Sequence, residues 1–211
     1  MKRALIGGMG NVLLGDDGVG PYVVRLLESQ YRFADNVEVV DLGTPALDLV
    51  HQIVGLNALI LVDSVASQEL AATPPGTIVL YRKADIVRET PAQRLDPHSP
   101  ALSECLLSAE MLGASPEHVL LVGVVGKSYE PGDPLSEGVS HAVDKAMEAV
   151  LGELARLGFD FQKRAAPLET GIWWGQQPVS EQDSIPRVLC RGAAPQAAEK
   201  VTNAVLGSGS V

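Results

Sequence analysis

The chain has 211 residues, of which 46% are apolar and 20% charged, and its formal net charge is -10. This length supports one domain with a substantial core and leaves room for an appendage. The acidic balance excludes a non-specific nucleic-acid binder, which would carry a basic patch, and without a run of about 18 apolar residues no membrane-spanning helix is expected.

In chain order, RALIGG (3–8) reads as a short buried strand, and the glycines and Asp16 that follow argue against a signal peptide. Residues 19–30 set Val19, Tyr22, Val23, Leu26 and Leu27 at helical spacing, with Pro21 in the first turn. VEVVD (37–41) predicts a second strand. PALDLVHQIVG (45–55) predicts a helix with Thr44 as N-cap, Pro45 at its first position and Gly55 just past its end. ALILVDS (58–64) is the most apolar strand, as expected in the middle of a sheet covered on both faces. GTIVLYR (76–82) predicts a fourth strand, residues 101–112 a helix and HVLLVGVVG (118–126) a fifth strand. A last helix over 136–157 aligns Val139, Val143, Met147, Val150, Leu151 and Leu154 on one stripe.

This alternation implies an α/β three-layer sandwich, a mostly parallel twisted sheet with helices on both faces. Strand four follows strand three through a loop alone, which suits an antiparallel edge strand. Cys105 lies in an apolar helical pattern and reads as a buried thiol, while Cys190 lies in a polar stretch. No CxxC spacing occurs, and this usage fits the cytoplasm. Beyond Arg164 the chain is rich in Ala, Gly, Pro, Ser and Gln and has no sustained period. A domain over 1–164 and a largely disordered extension over 165–211 are therefore expected, with GIWW (171–174) as a stretch that could dock.

The acids fall at related places. Asp16 and Asp17 follow strand one, Asp41 ends strand two and Asp63 lies at the end of strand three. In a parallel sheet these ends share one edge, where ligands of open α/β sheets bind. Aspartate also simply starts turns, which is the plainer explanation of Asp41 or Asp63 taken alone. Clustered carboxylates need a retained proton or a cation between them. With few basic residues nearby, a divalent metal is the simpler answer, and an added imidazole would favour a first-row metal such as nickel or zinc. His51, His118 and His141 are accounted for by their predicted elements. His98 lies in QRLDPHSPALSE, within a loop of about 18 residues, between the stiffening Pro97 and Pro100.

Familiar chemistries can be set aside. The dinucleotide fingerprint fails because Leu13 stands where the third glycine belongs. No GxxxxGK[ST], GxSxG or HExxH is present, and DSV (63–65) is not the Asp-[Thr/Ser]-Gly of pepsin-like proteases.

What remains resembles the hydrogenase maturation endopeptidases, which trim the C-terminus of the large subunit of nickel–iron hydrogenases. The resemblance rests on GMGNVLLGDDGVGP, VVDLGT, LILVDS, PHSPALSE and VLLVGVV, and covers roughly residues 3–157. It implies a nickel-binding trio that maps onto Asp17, Asp63 and His98. Much of the family has glutamate at the Asp17 position, and DLGT departs from the more usual DGGT at Leu42. The implied nickel belongs to the substrate, the large-subunit precursor, and no permanently bound cofactor is expected. Asp17, Asp63 and His98 would complete its coordination, and the metal or a carboxylate would activate water. Asp41 would orient the substrate or share proton transfer, and Asp16 would form a turn or support the site from behind. Transient docking on an exposed C-terminus suits a monomer. Two other readings stand beside this one: a metal-dependent hydrolase of a small molecule, and a non-catalytic module that binds nickel or the precursor.

Overall fold

The apolar runs pair into a five-stranded sheet in a computed structural model that describes residues 2–45, 47–65, 72–88 and 102–172. The first half of the chain forms β1 (Ala4–Met9), a 3-10 turn (Gly15–Gly18), α1 (Val19–Gln30), β2 (Tyr31–Phe33), β3 (Val37–Gly43) and α2 (Leu49–Ile53). It continues through β4 (Ala58–Val65), β5 (Ile78–Arg82), α3 (Lys83–Arg88), α4 (Leu102–Met111), β6 (His118–Val125), α5 (Glu137–Leu157) and β7 (Phe161–Lys163).

The sheet order is β3-β1-β4-β6-β5. β3, β1, β4 and β6 run parallel, and β5 joins β6 antiparallel at the edge, as its short connection to β4 suggested. Side chains alternate across a strand, so β4 serves two cores. Ala58, Ile60 and Val62 pack under α1 and α5, while Leu59 and Leu61 pack under α2, α3 and α4. The result is the expected three-layer α/β sandwich. Cys105 is buried in the second core.

Several details differ from the sequence reading. The helix expected over 45–55 is confined to Leu49–Ile53. Thr44 is not its cap: Val50 and His51 bond back to Leu47 and Asp48 in tight i to i+3 turns, which hold the preceding residues out of the helix. β3 and β4 run two residues past Asp41 and Asp63. The loop after β5 opens with α3. A small ribbon also pairs β2 with β7, stacking Tyr31, Phe33 and Phe161 with ring centroids 6.1–6.4 Å apart. Runs of three residues are too short for periodicity to reveal. Beyond the ribbon the chain is held to the end of α1, where Arg164 bonds Gln30 O and Leu168 exchanges hydrogen bonds with Ser29. The rest of the extension, 173–211, lies outside the described residues.

The chain leaves β1 for β3 on one side and crosses back to β4 on the other. β1 and β4 therefore flank the reversal of strand order, where a crevice opens beyond the strands' carboxyl ends.

Candidate active site

The loop after β1 is built to present Asp17. Gly10 has φ 125°, a conformation that L side chains rarely adopt, and any side chain there would collide with the Asp17 carbonyl. Asp17 Oδ2 accepts from the Asn11 backbone N–H at 2.7 Å, which closes the loop on itself. Asp17 Oδ1 accepts from the Ser64 hydroxyl at 3.0 Å, which ties the loop to β4.

Asp16 faces the other way and is fully buried. It accepts from the backbone N–H groups of Lys127, Ser128 and Ser136 and from the Ser136 hydroxyl. Its lone pairs are committed to the segment between β6 and α5, so it braces the site and presents nothing to a ligand.

Asp63 adjoins Ser64 on β4. Burial pushes its carboxyl up to about 8, the Asp17 charge adds to the rise, and the Ser64 backbone N–H partly offsets it. Asp17 and Asp63 thus lie close enough for the charge of one to act on the other.

Asp41 stands across β1 from Asp63. β1 lies between β3 and β4, so strand spacing alone keeps the backbones of Asp41 and Asp63 about 10 Å apart. Asp41 Oδ1 accepts from the Gly43 N–H at 3.0 Å, closing its own turn, and Oδ2 lies 3.8 Å from Arg25. His98 lies outside the described residues. His51 is on α2, His118 at the start of β6 and His141 on α5. Among the described residues no group of three His, Cys, Asp or Glu side chains could hold a metal ion.

The glycine-rich loop, the acid pair at the reversal point and the mixed sheet invite comparison with known proteins. The hydrogenase maturation protease family matches residues 21–153. The hydrogenase 2 maturation protease of Escherichia coli is 33% identical over 78% of this chain and 98% of its own length. The hydrogenase expression/formation protein HupM of Azotobacter chroococcum is 36% identical over 84% of this chain and 87% of its own length. The chain belongs to the hydrogenase maturation protease family. It is accordingly an endopeptidase of hydrogenase maturation. The solved hydrogenase-maturating endopeptidase HybD of E. coli shares the fold, with TM-score 0.70 and 30% identity over 77% of this chain and 98% of that one.

The family match starts at Pro21 and so contains Asp41 and Asp63, while the loop bearing Asp17 immediately precedes it. Two side chains at the protease's acid pair escaped the sequence reading. Ser64 carried a weak signal, as a hydroxyl inside the most apolar strand. Tyr129, in the loop after β6, carried none. A separate cleft of about 440 Å³ lies at the opposite, amino edge of the sheet, lined by Arg82, Lys83, His118 and Arg156. Arg82 and Arg156 are both bound to the buried Glu153, which makes that cleft part of the scaffold.

Proposed function

We propose that the chain removes a C-terminal extension from the nickel-loaded large-subunit precursor of a nickel–iron hydrogenase, and that nickel reaches the crevice as part of that substrate. Asp17 and Asp63, completed by His98, contact the metal and so sense whether the precursor is loaded. The observation that carries this reading is the Asp17–Asp63 pair, in which Asp63 is pushed up to about 8. Two neighbouring, partly buried acids, one of which retains a proton near neutral pH, can exchange that proton for a divalent ion. Their donor chemistry, with an imidazole, suits a first-row metal.

A water molecule then attacks the scissile carbonyl under general-base catalysis: a carboxylate takes its proton while the water oxygen bonds the carbonyl carbon, and the resulting carboxylic acid returns that proton to the amide nitrogen as the C–N bond breaks, in the manner of an aspartate-type endopeptidase. Asp41 shapes the rim by closing the turn after β3. No helix among the described residues is long and apolar enough to cross a membrane. We place the reaction in the cytoplasm, with the protease as a monomer that docks transiently on its precursor.

The deciding experiment presents purified protein with nickel-loaded and nickel-free precursor. Cleavage of the loaded form alone is expected, with loss of cleavage in Asp17→Ala and Asp63→Asn. Equal cleavage of both forms would sink the metal-sensing role and leave the peptidase intact.

A further inference from the structure

Tyr129 is set among the acids of the crevice, within reach of the charges of Asp16, Asp17 and Asp63. It follows Lys127 and Ser128, whose backbone N–H groups hold Asp16. Its hydroxyl is buried, yet it makes no hydrogen bond of good geometry with any described residue. The hydroxyl is lodged against Gly126, where any side chain would collide with it. Gly126 lies two residues beyond Val124, the register partner of Ser64, so the hydroxyl shares a sheet face with Ser64, which donates to Asp17 Oδ1. A phenol placed for packing alone would be better as phenylalanine, because a buried hydroxyl without a partner costs stability. The space that Gly126 clears takes the phenol oxygen and the ring carbon that bears it.

We propose that Tyr129 is a positioning residue for the acid pair and acts through Ser64. The Ser64 hydroxyl has one proton and two lone pairs. Donation from the Tyr129 O–H into a lone pair of Ser64 Oγ leaves the serine proton directed at Asp17 Oδ1. The order Tyr129, Ser64, Asp17 then fixes the rotamer of the carboxylate that meets the substrate. Burial and the charges of Asp16, Asp17 and Asp63 all raise the phenol's pKa, which keeps it a donor. The hydroxyl is too buried to touch substrate, so the effect belongs to geometry and not to proton transfer with the peptide.

This inference rests on Asp17 acting in the site, and the experiment separates the two. Cleavage of nickel-loaded precursor is measured for the wild type, Tyr129→Phe, Ser64→Ala, the double variant and Asp17→Ala, with a thermal melt of each. Tyr129→Phe is expected to lower kcat about 10-fold or more, the range for groups that orient a metal-contacting ligand, with KM unchanged and no fall in melting temperature. Ser64→Ala is expected to lower it similarly, and the double variant to be no worse than Ser64→Ala. Wild-type kcat in Tyr129→Phe, multiplying effects in the double variant, or a melting temperature that falls with activity would each overturn the role of Tyr129 while leaving Asp17 in place. Full cleavage by Asp17→Ala would instead remove the reading of the site, and the inference with it.

Discussion

Ser136 gives both its backbone N–H and its hydroxyl to the buried carboxylate of Asp16, at 2.6 and 2.9 Å. Ser136 stands at the N-cap position of α5, but its hydroxyl makes no cap bond to that helix. The hydroxyl usually spent on a helix's own first turn is spent on the loop that carries Asp17. Through this contact the longest helix of the fold is anchored to the candidate site. The positive end of the helix dipole also favours the carboxylate placed there.

The first prediction concerns that brace. Asp16→Ala would leave three part-buried backbone donors and one hydroxyl without their acceptor. Since an unpaired buried donor costs about 1–3 kcal/mol, a loss of about 3–5 kcal/mol is expected. Asp16→Asn keeps one acceptor oxygen and should lose less. Urea denaturation measures both, and an Asp16→Ala loss below about 1 kcal/mol would show that the bonds are not holding the loop.

The second prediction is the pH dependence set by Asp63. Its ordinary value is 3.8, and burial with the Asp17 charge raises it to about 8 in the folded chain. Between these values the native state holds a proton that the unfolded chain has released. Stability of the metal-free protein should therefore fall as pH rises from about 4 to about 8, then level off. Asp63→Asn should abolish that fall and exceed the wild type in stability at pH 8. Denaturation of both proteins across this range is the check, and parallel curves would contradict the assignment. The same linkage means that a divalent ion must displace the proton, so metal contact should strengthen as pH rises towards about 8.

The sequence made much of this legible, for reasons that can be traced. The five strands of the sheet and the long helices stand out because burial on one or both faces imposes a hydrophobic period. Asp17 and Asp63 stand out because parallel strands bring their carboxyl ends to one edge. Strand order, by contrast, is not written in the spacing of residues. That Asp41 stands across β1 from Asp63 emerges only from the strand order. Tyr129 was hidden because its role depends on a contact with Ser64, 65 positions earlier in the chain. The β2–β7 ribbon fell below the length at which a period can be seen.

The third prediction tests the scaffold at the opposite edge. Glu153 is almost fully buried on α5 and accepts from both Arg82 and Arg156. The Arg156 hydrogen bonds, then Arg82, outweigh burial and lower its pKa from 4.5 to about 2. A depressed carboxylate contributes stability that is present above its unfolded value and lost as pH falls through its folded one. Glu153→Gln should thus be less stable than the wild type at neutral pH, by about 1–3 kcal/mol for hydrogen bonds to charged groups. The gap should narrow between about pH 4.5 and pH 2. Precursor cleavage under folding conditions should be unchanged, because Glu153 lies at the edge away from the acid pair.

The fourth prediction addresses the close seating of α1 on the sheet, which sets where the 3-10 turn and Asp17 sit. A side chain at Gly20 would collide with the carbonyl oxygens of Met9 on β1 and Val62 on β4, and one at Gly8 with the Gly20 carbonyl. These obstacles are backbone atoms of the central strands and cannot swing aside as a flexible side chain would. Gly20→Ala should therefore destabilise by about 3 kcal/mol, the upper end of ordinary overpacking, and should reduce cleavage in proportion to the displacement of Asp17. Gly152 offers the contrast: it lies within α5 and an added Cβ meets nothing within 4 Å. Gly152→Ala should stabilise by about 0.5–1 kcal/mol through helix propensity alone and leave cleavage untouched. Measured together by urea denaturation, the two substitutions should move the midpoint in opposite directions. A neutral Gly20→Ala would mean that α1 can lift from the sheet without disturbing the fold, and the position of Asp17 would then need another explanation.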